Sequence, residues 1–246
     1  MAPTIFVGTA GWSIRREHQD LFGAGPSHLA RYATRFCGVE INSSFYRPHR
    51  PATYAKWAAG VPDGFRFAVK LPRAITHEAR LVGVGNGLAK FLSECTALGE
   101  KLGALLIQLP PSLKFENRAA TEFLTTLRAQ TDTVAVLEPR HPSWFAPKGD
   151  ALLREFRVAR AAVDPEPAGV EIASDPGGDP SIIYFRLHGS PKIYYSDYND
   201  AHLRALAKRL RAARQAGSEV WCIFDNTALG HATQNGRALQ AILKLR

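Results

Sequence analysis

Cysteine is scarce in this 246-residue chain: Cys37, Cys95 and Cys222 are all there is. They are odd in number, far apart and without a C-x-x-C pair, which excludes a disulfide framework and a zinc knuckle and fits a reducing compartment. No apolar run approaches the roughly 18 residues of a membrane span. The opening MAPTIFVG lacks the basic start and apolar core of a signal peptide, and the Arg15-Arg16 pair lacks the hydrophobic stretch of an export signal. A cytoplasmic protein with no membrane partner is therefore expected. Acidic residues are also in deficit, 22 Asp and Glu against 31 Lys and Arg, for a formal net charge of +9. Such a surface attracts polyanions and permits nucleic acid or phosphorylated ligands without specifying either. Part of the excess, Arg204, Lys208, Arg209, Arg211 and Arg214, falls on a helical pattern whose apolar face is Leu203, Leu206 and Leu210, which reads as a solvated helix face.

Several catalytic signatures are missing as well. The turn after the first apolar run reads GTAGWS, not G-x-G-x-x-G, which argues against an open doubly wound sheet. No Ser sits in a nucleophile elbow and no Cys ends a strand next to a His, so covalent acyl chemistry is disfavoured. There is no H-E-x-x-H. The glycine-rich GVGNG at Gly83 to Gly87 follows no strand directly and reads as a mobile loop rather than a phosphate cradle.

What is present is a hydrophobic share of 46% with 22% charged residues, ample for one large core. Short apolar runs recur, most of them followed by a helical pattern, the signature of βα units. Eight can be counted: Thr4–Gly8, Gly38–Ile41, Phe65–Lys70, Gly103–Leu109, Thr133–Leu137, Arg157–Val163, Ser181–Leu187 and Glu219–Phe224. Helices are expected over Ser27–Phe36, Leu88–Leu98, Arg118–Gln130, Ala201–Gln215 and Ala232–Leu245, with Ser27, Asn117 and Asp200 as N-caps. Shorter ones are expected over Pro51–Ala59 and Ala151–Phe156, while Asp164–Pro180, rich in Pro, Gly and Asp, reads as loop. Eight units suggest closure, so the expected fold is α/β, a single (β/α)8 TIM-type barrel formed by residues 1–246 as one domain.

Barrel sites lie at the C-terminal ends of the strands. In this sequence those ends supply Gly8, Thr9 and Trp12; Glu40, Asn42 and Tyr46; Lys70, Arg73, Thr76 and His77; Gln108; Glu138, Arg140 and His141; Asp164; Arg186 and His188; and Asp225 with Asn226. Strand alternation puts Glu40 with Asn42, Glu138 with Arg140, and Arg186 with His188 on common sides. Lys70, Arg140 and Arg186 suit phosphate or carboxylate; Glu40 and Glu138 suit general-base work; His188 suits acid or base work near neutral pH. A competing reading has Glu40, Glu138, Asp164 and Asp225 forming buried pairs with these cations that set barrel register. Trp12, Tyr46, Trp144, Tyr194 and Tyr195 either stack on a ligand ring or cover the barrel mouth. His77 and His231 read as surface or capping residues.

A retaining glycosidase needs two carboxylates about 5 Å apart; the fourth and seventh strands here end in Gln108 and Arg186, which argues against it. The first functional expectation is an enzyme acting on a small anionic, phosphate-bearing or nucleic-acid-like substrate. Its catalytic residues would be Glu40, Glu138 and His188, and its substrate-binding residues Trp12, Asn42, Tyr46, Lys70, Gln108, Arg140, Arg186 and Asn226. One alternative is a non-catalytic binder of nucleic acid or an anionic metabolite. Another is a metal-dependent hydrolase or sugar isomerase drawing on Glu40, Glu138, His188 and Asp225. No cofactor is expected beyond that optional divalent metal, and the oligomeric state is not legible.

The ordered series GTAGW, VEINSSFYR, FRFAVKLPRAITH, LGALLIQLPPS, VLEPRHPSW, YFRLHGS and FDN, running from Gly8 to beyond Asn226, resembles the YecE-like family, domain of unknown function 72. The resemblance implies a TIM-type barrel and marks Glu40, Asn42, Tyr46, Lys70, Thr76, His77, Gln108, Glu138, Arg140, His141, Arg186 and Gly189 as motif residues. The chain departs from that pattern in the loop SIRREHQDLFG, where the family is aromatic-rich, and at Asp225, where Asn is expected. The resemblance carries no reaction with it.

Overall fold

A computed structural model describes residues 4–167 and 169–245. The opening Met1, Ala2 and Pro3 lie outside the described residues. Ten strands follow one another: β1 (Ile5–Thr9), β2 (Gly38–Ile41), β3 (Arg66–Lys70), β4 (Leu102–Gln108), β5 (Ala135–Glu138), β6 (Val158–Arg160), β7 (Ala162–Asp164), β8 (Gly177–Gly178), β9 (Ile182–Leu187) and β10 (Glu219–Phe224). Between them run α1 (His28–Tyr32), α2 (Ser43–Tyr46), α3 (Pro51–Ala59), α4 (Gly85–Cys95), α5 (Asn117–Gln130), α6 (Pro147–Glu155), α7 (Asp200–Gln215) and α8 (His231–Leu243). Pairing is parallel throughout except for β6 with β8. Strands such as VGT, VLE and YFRL are buried on both faces, as a parallel sheet covered by helices requires.

Two runs of strands make up the ring, β2-β3-β4-β5-β6 and β7-β9-β10-β1. They meet at two seams. At one, the expected sixth strand is two: β6 pairs with β5, β7 pairs with β9, and Ala161 between them donates its N–H to Leu137 O at 2.9 Å. One continuous segment thus passes from the first run to the second. At the other seam, Ala10 bridges Glu40 and Gly11 N–H donates to Glu40 O at 2.8 Å. Here the absence of a side chain is decisive, since a Cβ on Gly8 would lie 2.2 Å from Gly38 O. The (β/α)8 architecture expected from the sequence is the one observed.

Several local expectations need correction. GVGNG is not a loop throughout: Gly83, at φ +66°, makes the turn, and Gly85 opens α4. Burial of Leu88, Phe91, Leu92 and Cys95 along one face of α4 outweighs the low helix propensity of its glycines. The N-cap of α5 is Glu116, whose carboxylate accepts from Arg118 N and Ala119 N, not Asn117. That of α7 is Asn199, accepting from His202 N, not Asp200. Ser27 does cap α1. The helix expected over Ala151–Phe156 starts earlier, with Pro147 in the first turn. The Asp164–Pro180 segment, read as loop, holds one helical turn at Glu171–Ser174 and the short β8.

The seam between β1 and β2 gives a direct test. Gly8→Ala should lower stability by at least about 2 kcal/mol, because the new methyl meets backbone rather than a movable side chain. Gly64→Ala, whose Cβ meets nothing within 4 Å, should stay within about 0.5 kcal/mol of the parent in the same denaturation series.

Candidate functional site

The alternation within IIYFRL and the residue just past it brings Tyr184, Arg186 and His188 to one side of β9, with Arg186 and His188 each 1% exposed. Arg186 is the junction of the polar cluster. Its Nε and Nη2 donate to the two oxygens of Glu40 at 2.9 and 2.7 Å. Nη1 donates to Glu138 Oε2, and Nη2 also reaches Asp225 Oδ2 at 3.2 Å. One guanidinium therefore gathers carboxylates from the ends of β2, β5 and β10 across the barrel. Tyr184 adds its hydroxyl to Glu40 Oε2 at 3.0 Å.

Arg140 lies two residues beyond Glu138 and donates through Nε to Glu138 Oε1 and through Nη2 to His188 Nε2, the latter at 2.9 Å. A guanidinium only donates, so Nε2 must accept. The imidazole proton then sits on Nδ1, which faces Asp225 Oδ2 at 2.9 Å. The result is a chain, Asp225 to His188 to Arg140, in which the imidazole is fixed from both nitrogens. Arg140 is its outermost member, with its side chain 15% exposed.

Burial alone would raise the Glu138 carboxyl, but Arg140 and Arg186 outweigh it and hold the group well below the usual carboxylate range. Asp225 is lowered in the same way, burial being overcome by the His188 hydrogen bond and by Arg186. The Arg186 guanidinium is disfavoured by burial yet raised well above its usual range by Glu138, Glu40 and Asp225. Lys70 behaves differently. It ends β3, is 9% exposed, and among the described residues forms no ion pair within 4 Å. Its Nζ stands 4.2 Å from the centroid of Phe45 on α2. Burial first and Arg186 second push its amine down to about 8, against the opposing pull of Glu40, Glu138 and Asp225.

The expected site residues thus divide. Glu40, Lys70, Glu138, Arg140, Arg186, His188 and Asp225 come together. Both oxygens of Glu40 and of Glu138 are taken by guanidinium groups, the buried pairing weighed from the sequence. Asp164 goes elsewhere, accepting from the Tyr198 hydroxyl at 2.9 Å. Asn226 braces the loop after β9 through Ser196 O and Asn235 Oδ1. Trp12 packs edge-on against Trp57, and Trp144 is buried with its indole N–H on Leu113 O. His141 caps the turn at Pro142–Phe145 by accepting from Ser143 N. His77 bonds Thr76 and meets Phe45 edge-on. Gln108 pairs in register with Glu138 at the rim and is partly exposed. Buried Asn42 Oδ1 has no hydrogen-bond partner among the described residues, and Tyr46 is 75% exposed.

Tyr184 and Phe45 are not among the candidates read from the sequence. The alternation Tyr184, Arg186, His188 could have found the first; nothing in the sequence marks Phe45 as the floor under Lys70. Tyr194, at φ +70° and edge-on to His188, comes from the loop after β9 that Tyr198 and Asn226 hold in place. A cavity of about 350 Å³ has Phe45, Tyr46, Pro72, Ile75 and Phe91 in its walls, so Phe45 is shared between it and Lys70.

The donors that a divalent metal would need, Glu40, Glu138, His188 and Asp225, converge on the Arg186 guanidinium instead. Among the described residues no group of three or more His, Cys, Asp or Glu side chains is arranged to hold a metal ion. The donor set as folded does not fit a metal. No helix of the described residues is long and apolar enough to cross a membrane.

The family profile described as "Protein of unknown function DUF72" matches residues 6–246. The chain is 31% identical to the UPF0759 protein YecE of Escherichia coli over 59% of its own length; the match spans about half of that relative, 52%. It is 25% identical to the UPF0759 protein YunF of Bacillus subtilis, covering 98% of this chain and 95% of that one. Among solved structures it is similar to a DUF72 family protein from Enterococcus faecalis, with a TM-score of 0.82 and 24% identity over 99% and 96% of the two chains. A DUF72 family protein from Thermotoga maritima gives a TM-score of 0.79 and 24% identity over 98% and 99%. These likenesses show the fold.

Arg186→Met should cost at least about 3–5 kcal/mol at neutral pH, because it leaves buried carboxylates unpaired. The pH dependence carries the sign. Glu138 and Asp225 are depressed in the folded state, so their contribution in the parent is full above about pH 5 and lost as pH falls below about 4. The variant should do the opposite and narrow its deficit as acid neutralises the stranded carboxylates. A deficit independent of pH between 7 and 4 would contradict this pairing.

Proposed function

Since the chain belongs to the DUF72 family, whose description names no reaction, we propose its function from the site alone: an enzyme that binds a small phosphate- or carboxylate-bearing molecule at the C-terminal rim and moves a proton through His188. The observation that carries this reading is the Asp225–His188–Arg140 chain. An imidazole with Nδ1–H directed at a carboxylate is held in the tautomer that leaves Nε2 as the proton acceptor. Arg140 masks that nitrogen at 2.9 Å. An anion arriving at the rim competes for the same guanidinium, and a bidentate bond to it is stronger than one to a neutral imidazole. Anion binding draws Nη2 off His188 and removes the shorter of the two guanidinium contacts to Nε2, Arg186 Nη1 standing at 3.4 Å, while Nε stays on Glu138. Lys70 adds a second cation at the end of β3, and the absence of a counter-ion within 4 Å among the described residues favours an anionic guest.

Glu40 and Glu138 serve in this reading as positioning residues for the two guanidinium groups, not as bases. The nucleic-acid alternative has weaker support. Of the basic residues on α7, Arg204 is paired with Asp200, Arg209 with Asp175, and Arg211 donates to Ile242 O.

Inorganic phosphate is the probe that tests the reading. At 100 times its dissociation constant it should stabilise the protein by about 2.7 kcal/mol in thermal or denaturant unfolding. Arg140→Met and Lys70→Met should each weaken phosphate at least about tenfold, whereas Lys208→Ala on the exposed face of α7 should leave it unchanged. Equal phosphate stabilisation in all four proteins would assign binding to the general surface charge and overturn the proposal.

A further inference from the structure

The acid–base chain leaves Lys70 with little to do beyond supplying charge, yet its surroundings are unusual for a lysine. A strand end fixes its backbone, an aromatic ring lies 4.2 Å from Nζ, and among the described residues no carboxylate within 4 Å holds it as an ammonium. The charged and titratable groups that face it from other elements are Arg186 of β9, Glu40 of β2, Glu138 of β5 and Asp225 beyond β10, and its charge is felt by His77. All three of those carboxylates are committed to Arg186. A primary amine desolvated against an aromatic ring and near another cationic group is the arrangement that makes lysine a nucleophile toward carbonyls.

We propose that Lys70 forms a covalent imine with an aldehyde or ketone group carried by the anionic substrate, which makes the substrate class a phosphorylated or carboxylated carbonyl compound. The proposal rests on the function proposed above, in which Arg140 receives the anionic group. The Nζ lone pair forms the C–N bond as the carbonyl π pair moves to oxygen. The two protons that leave nitrogen end on that oxygen, which departs as water. The step consumes one carbonyl and one amine, releases one water, and involves no oxidation or reduction. Once the imine is protonated, the carbon next to it becomes acidic, and His188 Nε2 is the base that the function proposed above supplies for that proton.

Burial and Arg186 lower the Lys70 amine to about 8. At pH 7.5 such an amine is roughly a quarter free base, whereas an ordinary lysine near 10.4 is free in about one molecule per thousand. Glycolaldehyde phosphate with sodium borohydride at pH 7.5 therefore tests the proposal, since hydride traps any imine as a stable secondary amine that peptide mass spectrometry locates. In the parent protein Lys70 should be labelled at least about tenfold faster than exposed Lys148 or Lys208. Unphosphorylated glycolaldehyde should label it more slowly, and so should Arg140→Met with the phosphorylated probe. Lys70→Arg keeps the cation, so it should retain inorganic phosphate binding while losing the adduct. Labelling of Lys70 no faster than that of Lys148 would overturn the imine; if phosphate still bound in an Arg140-dependent way, the function proposed above would survive that result.

Discussion

The Arg186 guanidinium is the constraint around which the rim is organised. It extends from the seventh strand position of the barrel and binds carboxylates from the second, fifth and eighth. A charge 99% buried is tolerable only when its counter-charges are close and its donors satisfied. Arg186 meets both conditions, and in doing so fixes where Glu40, Glu138 and Asp225 point. The positions of Arg140 and His188 follow from those, because each leans on a carboxylate already held. Stability and site geometry are therefore one problem here. The pairs that hold the strand ends together are the ones that orient the imidazole.

The same economy explains why Lys70 stands apart. Three carboxylates meet Arg186 and Arg140, and among the described residues no carboxylate is left within 4 Å of the lysine. Phe45 fills that place with a ring face, which stabilises an ammonium less than a carboxylate does and desolvates it as well. The site combines a balanced inner layer with outer groups, Arg140 and Lys70, whose bonding capacity is incompletely used.

Much of this was legible in the sequence. The apolar runs ending in VEIN, FAVK, VLEPR, YFRLH and IFDN place ionisable residues one after another at strand ends, and a barrel turns such a list into a cluster. Seven ordered motifs pointed to the family. The partners were not legible. Glu40 and Glu138 have the composition of general bases, and only three-dimensional register shows that Arg186 and Arg140 occupy their oxygens. Nor could sequence show that Trp12 and Trp144 pack away from the cluster, because an aromatic near a strand end fits a mouth or a helix interface equally well. The split of the sixth strand at Ala161 was hidden for a similar reason: RVARAAV reads as one uninterrupted strand, and the break is set by which neighbour each half pairs with.

The centre of the site depends most on the protonation of His188. Nitrogen-15 NMR of selectively labelled histidine, at pH 7.5 in the ligand-free protein, reads the proton on each ring nitrogen directly. With Arg140 donating to Nε2 and Asp225 accepting from Nδ1, the His188 signals should show Nδ1 protonated and Nε2 bare. A proton found on Nε2, alone or together with one on Nδ1, would contradict the arrangement and remove the base from the centre of the site.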